Sequence, residues 1–295
     1  LWHTPTDGYC GLAKTIQMAT RIKQSGSKFL LDIHYSDTWA DPAHQTKPVA
    51  WQSLTCTQLV DSIYSYTYSV VQALNTANVL PDMIQIGNEI TVGFLWPEGR
   101  VGGSYNTTIQ WQQFTTLLKT ARNAIVDAVP GTTIPIMLHI DRGGDNAGSR
   151  WFFDKMNSYQ VPYDYIGLSF YPWWHGTLTQ LTQNLNDLAT RYNKNIIVVE
   201  TAYPWTLQAY DNVTNIVGST SQLHDGYPST VDGQFNFLFD LIQIVKNVPN
   251  NKGKGIFYWA PEFISVQPVG SPWENLALFN FQGEVLNSIN AFNDI

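Results

Sequence analysis

The chain is poor in charge, nearly without cysteine and without any long apolar run. Asp, Glu, Lys and Arg make up 13% of its 295 residues, with a formal net charge of -7. Lys and Arg form no cluster anywhere, so there is no basic face to meet a phosphate backbone, which argues against a nucleic-acid partner. No stretch of 18 uncharged apolar residues occurs, so no membrane span is expected. The first residues do not read as a signal peptide. What the chain does have is aromatic surface: 11 Trp, 15 Tyr and 14 Phe. Flat rings in this number suit either stacking on the apolar faces of sugars or a large aromatic core.

The stretch that organises the rest is Met83-Ile84-Gln85-Ile86-Gly87-Asn88-Glu89-Ile90, an apolar run that stops at Asn-Glu before the chain turns away through Gly93. Polar residues at the end of a buried strand point out of a core. Asn195 to Glu200, four apolar residues closed by one glutamate, repeats the pattern. Two carboxylates at the ends of two apolar strands are the raw material of a glycosidase.

Taken in order, helical spacing at Leu12, Ile16, Ala19 and Ile22 leads to a strand from Phe29 to Tyr35. A long loop, Ser36 to Trp51, carries too many aromatic and Asp/His side chains for disorder. Helical patterns then alternate with strands ending near Glu89, Ile140, Tyr171, Glu200 and Trp259, and a last helix is expected around Val285, Ile289 and Phe292. Alternation of this kind predicts a parallel sheet with its crossovers outside. Each strand ends in residues with chemistry: Asp32 and His34, Asn88 and Glu89, His139 and Asp141, Ser169 and Tyr171, Glu200, and Trp259 with Glu262. In a doubly wound sheet such residues gather at one switch point, whereas in a (β/α)8 TIM barrel every strand contributes. The fold class is therefore α/β, a (β/α)8 barrel, and residues 1–295 are expected to form a single catalytic domain.

From Leu31 the sequence runs Asp32-Ile33-His34-Tyr35-Ser36-Asp37-Thr38-Trp39-Ala40-Asp41-Pro42 and continues through His44, Gln45, Pro48 and Trp51. With Ile86-Gly87-Asn88-Glu89, Leu95-Trp96-Pro97, Ser169-Phe170-Tyr171-Pro172, Val199-Glu200-Thr201 and Phe257-Tyr258-Trp259, it closely resembles glycoside hydrolase family 53, the endo-β-1,4-galactanases. The resemblance implies a secreted retaining glycosidase acting on galactan or arabinogalactan. Glu89 would be the acid/base at the end of barrel strand 4 and Glu200 the nucleophile at the end of strand 7, their carboxyls about 5 to 5.5 Å apart. Asn88 is placed to hydrogen-bond the sugar 2-hydroxyl, and Tyr203, Tyr171 or His139 to support Glu200. Substrate contacts are expected from Asp32, His34, Asp37, Trp39, Asn88, Trp96, His139, Asp141, Ser169, Tyr171, Tyr203, Trp259 and Glu262.

Several readings stay open at this level. Asp32, His34, Asp37 and Asp41 could be a metal cluster or a hydrogen-bonded scaffold, and the family favours scaffold and substrate contacts. Asp32-x-His34 and His139-x-Asp141 could also belong to a metal-dependent hydrolase. Trp39, Trp96, Trp173 and Trp259 could be sugar platforms or core. The same frame could serve β-mannan or β-glucan. No cofactor is expected, nor calcium, since Phe263 to Leu276 offers only Glu274 as a carboxylate. A monomer is expected. Two sequons, at Asn106 and Asn212, fit a secreted glycoprotein. Cys10 and Cys56, each at the start of a helix that follows a strand-end loop, are expected to form a disulfide. If Glu89 ends strand 4, then Leu1-Trp2 is expected to be the end of strand 2, with strand 1 and most of strand 2 missing from this chain.

Overall fold

The structure, a computed structural model, describes residues 1–294. Six strands follow one another in the sheet in chain order: β1 (Leu30–Ile33), β2 (Met83–Ile86), β3 (Ile136–Ile140), β4 (Tyr165–Ser169), β5 (Asn195–Glu200) and β6 (Gly253–Ile256). The pairs β1–β2, β2–β3 and β5–β6 are parallel, and Leu30 lies opposite Met83 while Ile33 lies opposite Ile86. Every residue of β3 is buried, as befits a parallel strand covered on both faces. Five strands fall on the apolar runs, while the last, expected to run from Gly255 to Trp259, is Gly253–Ile256 and ends three residues earlier.

The helices are α1 (Leu12–Gln24), α2 (Cys56–Thr76), α3 (Thr108–Ala128), α4 (Asn146–Ser158), α5 (Pro172–His175), α6 (Leu178–Tyr192) and α7 (Val231–Lys246). Local chemistry sets their starts. Thr55 and Gln58 close a reciprocal capping box at α2, Thr177 and Gln180 do the same at α6, and the Thr107 hydroxyl caps α3. Apolar stripes then fix which face turns inward: Leu59, Ile63, Val70, Val71 and Leu74 on α2, and Leu181, Leu185 and Leu188 on α6. The expected last helix is a 3-10 helix, Asn287–Asp294.

Two compact units divide the chain. The first holds Leu1–Asp141 and Trp151–Ile166, the second Arg142–Arg150 and the residues from Gly167 onward, so that the divisions fall just after β3, inside α4 and inside β4. In the first unit α2 and α3 pack together, and the core is built on Leu31, Ile33, Ile84, Ile86 and the residues of β3. In the second, α7 packs against β6 and the closing 3-10 helix, and Leu168, Phe170, Ile196 and Val198 are buried.

The first residues run beside the end of β1. The Leu1 ammonium donates to the Asp32 carbonyl at 2.5 Å, the His34 N–H donates to the Leu1 carbonyl at 3.0 Å, and the His3 N–H donates to the Ser36 carbonyl at 2.7 Å. Beyond them, the loop from Ser36 is pinned at two places by one carboxylate, since Asp37 accepts from the Thr4 and Val49 amides at 2.8 Å each.

The expected disulfide is not made: Cys10 and Cys56 are both free thiols. Their surroundings differ. Cys10 is exposed, and its carbonyl accepts from the Trp2 N–H at 2.8 Å. Cys56 opens α2 half-buried beside Glu98, and burial together with that carboxylate pushes its thiol pKa up. Each opens or precedes a helix as read, but helix starts alone do not set the Cβ vectors that a disulfide needs. No helix among the described residues is long and apolar enough to cross a membrane.

Candidate active site

In the first unit, β2 delivers Asn88 and Glu89 through a turn with a fixed backbone. Gly87 has φ +78, and a Cβ there would meet Ile90 Cγ2 at 2.5 Å, so no side chain fits. Glu89 itself sits in the left-handed region, at φ 48 and ψ 50. For a residue with a Cβ this costs about 1–3 kcal/mol, a strain that the surrounding contacts must hold in place. Gly93, at φ +88, lets the returning chain pass within van der Waals reach of Gly99.

Asn88 is held on every side. Its Nδ2 donates to the Ala40 carbonyl at 2.9 Å, its Oδ1 accepts from Gln85 Nε2 at 3.2 Å, and Gln45 Nε2 donates to its carbonyl at 2.7 Å. His139 Nδ1 lies 2.9 Å from Asn88 Oδ1 and 3.2 Å from Gln85 Nε2, and the Glu89 N–H donates to the same nitrogen at 3.4 Å. Asn88, Gln85, Gln45 and His139 are all buried.

Asp32 and His34, at the end of β1, lie 2.9 Å apart between Oδ2 and Nε2. The Ala40 N–H donates to His34 Nδ1 at 3.0 Å, so the ring proton is on Nε2 and points at Asp32. Burial works to raise the Asp32 pKa, but the adjoining His34 imidazole and the Leu1 ammonium outweigh it and hold the carboxyl below its usual range. Its other oxygen, Oδ1, is buried with no hydrogen-bond partner among the described residues.

The other candidates of this unit divide by exposure. Trp39 is 52% exposed, with ring edges on Trp2 and His34. Trp96 is half-buried: its Nε1 donates to the Val92 carbonyl at 3.1 Å, and the Arg100 guanidinium stands 4.2 Å over its ring. Asp41 accepts from the Ala43 and His44 amides, and Asp141 accepts from the Thr91 hydroxyl in the turn after Glu89. Among the described residues, no group of side chains able to converge on one ion includes Asp32, His34, Asp37, Asp41 or Asp141.

In the second unit, Glu200 closes β5 and is 8% exposed. The Tyr171 hydroxyl donates to its Oε2 at 2.9 Å, and both groups are buried. Tyr171 sits among Ala202, Val217, Trp273 and Leu276, with Trp173, Tyr258 and Trp259 packed alongside. Trp259 is anchored by its backbone, its N–H donating to the Thr201 carbonyl at 2.9 Å and its carbonyl accepting from Trp273 Nε1 at 3.3 Å. Tyr203 is fully buried and turned elsewhere. Its hydroxyl donates to the Tyr227 carbonyl at 2.6 Å and accepts from the His224 N–H at 3.0 Å, its ring stacks on Phe237, and burial pushes its pKa up to about 12. Ser169 is buried, with its carbonyl accepting from the Gly143 N–H at 3.1 Å, while Glu262 is exposed. Glu274 is buried and accepts from the Tyr210 N–H at 2.6 Å.

Each unit thus presents one of the two glutamates at the C-terminal end of a parallel strand, one in strained backbone beside a clamped asparagine and one under a tyrosine hydroxyl. The family profile for Glycosyl hydrolase family 53 matches residues 1–292. The chain belongs to this family. It is 37% identical over 291 residues to the arabinogalactan endo-β-1,4-galactanase of Cellvibrio japonicus, covering 95% of this chain and 75% of that protein. An uncharacterized protein in the bgaB 5' region of Niallia circulans is 48% identical over 297 residues, covering 99% of this chain and 81% of that one. Among solved structures, the family 53 catalytic domain of Ignisphaera aggregans superposes with a TM-score of 0.91 at 39% identity, covering 99% of this chain and 82% of that one. The fold class is accordingly the (β/α)8 barrel of family 53 glycoside hydrolases.

Sequence reasoning passed over three residues that hold Asn88. Gln85 carried a signal, as the one polar residue inside the apolar run of β2. Gln45 stood within the motif of the long loop without an assigned role. Ala40 carried none, because it acts through its backbone alone.

Proposed function

We propose that this family 53 glycoside hydrolase is a secreted endo-acting retaining galactanase that cleaves β-1,4-galactosidic bonds in pectic galactan and type I arabinogalactan. Family membership across residues 1–292, with Asn88-Glu89 and Glu200 each at a strand end, carries the reading. In this mechanism Glu89, protonated, donates to the departing glycosidic oxygen while Glu200 attacks the anomeric carbon. Glu89 then takes a proton from the water that hydrolyses the galactosyl-enzyme. Asn88 binds the sugar 2-hydroxyl, Trp39 and Trp259 offer ring faces to the chain, and the unpartnered Oδ1 of Asp32 accepts a sugar hydroxyl. Galactan is the polysaccharide partner.

Digestion of β-1,4-galactan beside β-mannan and β-glucan tests the substrate, and proton NMR of the first products tests the stereochemistry. Galacto-oligosaccharides of mixed length released initially as the β-anomer, unaffected by a chelator, are expected. Faster cleavage of mannan or glucan would move the assignment to that polymer, and initial α-anomer would exclude double displacement.

Tyr171 supplies a further check on Glu200. A hydrogen bond to a charged group contributes about 1.5–3 kcal/mol, so Tyr171→Phe should lower kcat/KM by about 10- to 100-fold. A loss below about threefold would show that this hydroxyl does not steady the ionised nucleophile.

A further inference from the structure

The proposed function leaves His34 without a described task, although its ring lies buried between two elements of the site. We propose that His34 is a positioning residue for Asn88, acting through the backbone of Ala40. This inference rests on the reading that Asn88 binds the sugar beside Glu89.

Both ring nitrogens of His34 are engaged, Nε2–H with Asp32 Oδ2 at 2.9 Å and Nδ1 with the Ala40 N–H at 3.0 Å. Ala40 is 1% exposed, and its carbonyl accepts from Asn88 Nδ2 at 2.9 Å. A continuous path therefore runs from the Asp32 carboxylate through the imidazole and Ala40 to the Asn88 amide.

The Asn88 amide could otherwise turn over, exchanging oxygen for nitrogen at little steric cost. The Ala40 carbonyl demands an N–H on one side, while Gln85 Nε2 demands an oxygen on the other. The Ala40 side of that clamp belongs to the long loop and holds only while the loop keeps its place. His34 fixes it there by accepting the one N–H that would otherwise be buried without a partner. Gln45 fixes the far side, donating to the carbonyls of Asp41 and Asn88 at 3.1 and 2.7 Å. Removing the His34 acceptor should therefore shift the Ala40 carbonyl while the loop stays attached. Asn88 precedes Glu89, whose left-handed backbone depends on its neighbours, so the disturbance reaches the acid as well.

Two substitutions separate the two nitrogens of the ring. Asparagine places its amide where Nδ1 lies, so His34→Asn can still accept from Ala40 but loses Asp32. Glutamine reaches to Nε2, so His34→Gln can still donate to Asp32 but leaves the Ala40 N–H without an acceptor. With an aryl β-1,4-galactobioside as substrate, His34→Gln is expected to lose about tenfold or more in kcat with KM changed little, and His34→Asn to retain at least about threefold more kcat than His34→Gln. In an Asn88→Ala background, adding His34→Gln should cost less than about twofold, since its route to the sugar is already cut. The reverse order, with glutamine active and asparagine not, would overturn the proposal in favour of a role through Asp32. Fully multiplicative losses with Asn88→Ala would overturn it too. Should either variant fail to fold, nitrogen-15 NMR of the wild-type histidines still decides: an unprotonated Nδ1 on His34 is required, and a proton there refutes the path. Wild-type enzyme that turns over no galactoside would instead refute the proposed function, with the tautomer test untouched.

Discussion

Glu200→Ala is expected to remove essentially all turnover of galactan, a loss of more than about 10⁴-fold in kcat with the fold intact. The carboxylate that closes β5 is the group that bonds to the anomeric carbon in the proposed mechanism, and without it no galactosyl-enzyme can form. Folding should survive because the change removes a desolvated carboxylate, and losing the Tyr171 hydrogen bond costs about 1–3 kcal/mol. Added azide gives the result its signature. A small anion in the space of the lost side chain attacks the anomeric carbon from the same face, so the product from an activated β-galactobioside should be the α-azide. Residual activity above about one part in a hundred, on preparations free of wild type, would show that another group is the nucleophile.

How far the sequence alone reached depends on what each residue's role required. Most strands were legible because burial on both faces makes them short apolar runs. At the two glutamates the run's end marked the strand's end, with Asn88-Glu89 after β2 and Glu200 closing β5. The runs to Tyr35, Tyr171 and Trp259, by contrast, overshot β1, β4 and β6 by two or three residues. The helices were legible by their apolar spacing alone, although the threonine followed three residues later by glutamine that caps α2 and α6 was also present in the sequence. Roles that depend on direction were not legible. Tyr171 and Tyr203 both stand near Glu200 in the chain or at the end of a neighbouring strand, and nothing in the sequence says that the first hydroxyl meets Glu200 while the second folds back onto Tyr227. The cysteines failed for the same reason, because starting a helix fixes where a residue is and not where its sulfur points. Ala40 lies beyond any such reading, since an alanine that works through its N–H and carbonyl has the same side chain as one that does nothing.

Glu89→Ala should behave differently from Glu200→Ala, and the difference identifies the acid. Protonation of the leaving oxygen contributes about 10²–10⁴-fold, so kcat on galactan, whose leaving group is a sugar alkoxide, should fall by that amount. A dinitrophenyl β-galactobioside needs no such help in the first step. There a burst of dinitrophenolate, with kcat lowered because the second step lacks its base, is expected beside the near-total loss on polysaccharide. Azide, which attacks without base assistance, should restore turnover, and because it meets the galactosyl-enzyme held by Glu200 its product should be the β-azide, opposite to that of Glu200→Ala. The strained backbone at Glu89 adds a second consequence. Relief of the left-handed conformation is worth about 1 kcal/mol or more when glycine replaces a residue with a Cβ, so Glu89→Gly should melt at or above the temperature of Glu89→Ala despite the greater chain entropy of glycine. Equal losses on galactan and on the dinitrophenyl substrate, with no response to azide, would remove Glu89 from the role of acid/base and leave the strain at φ 48 without its functional explanation.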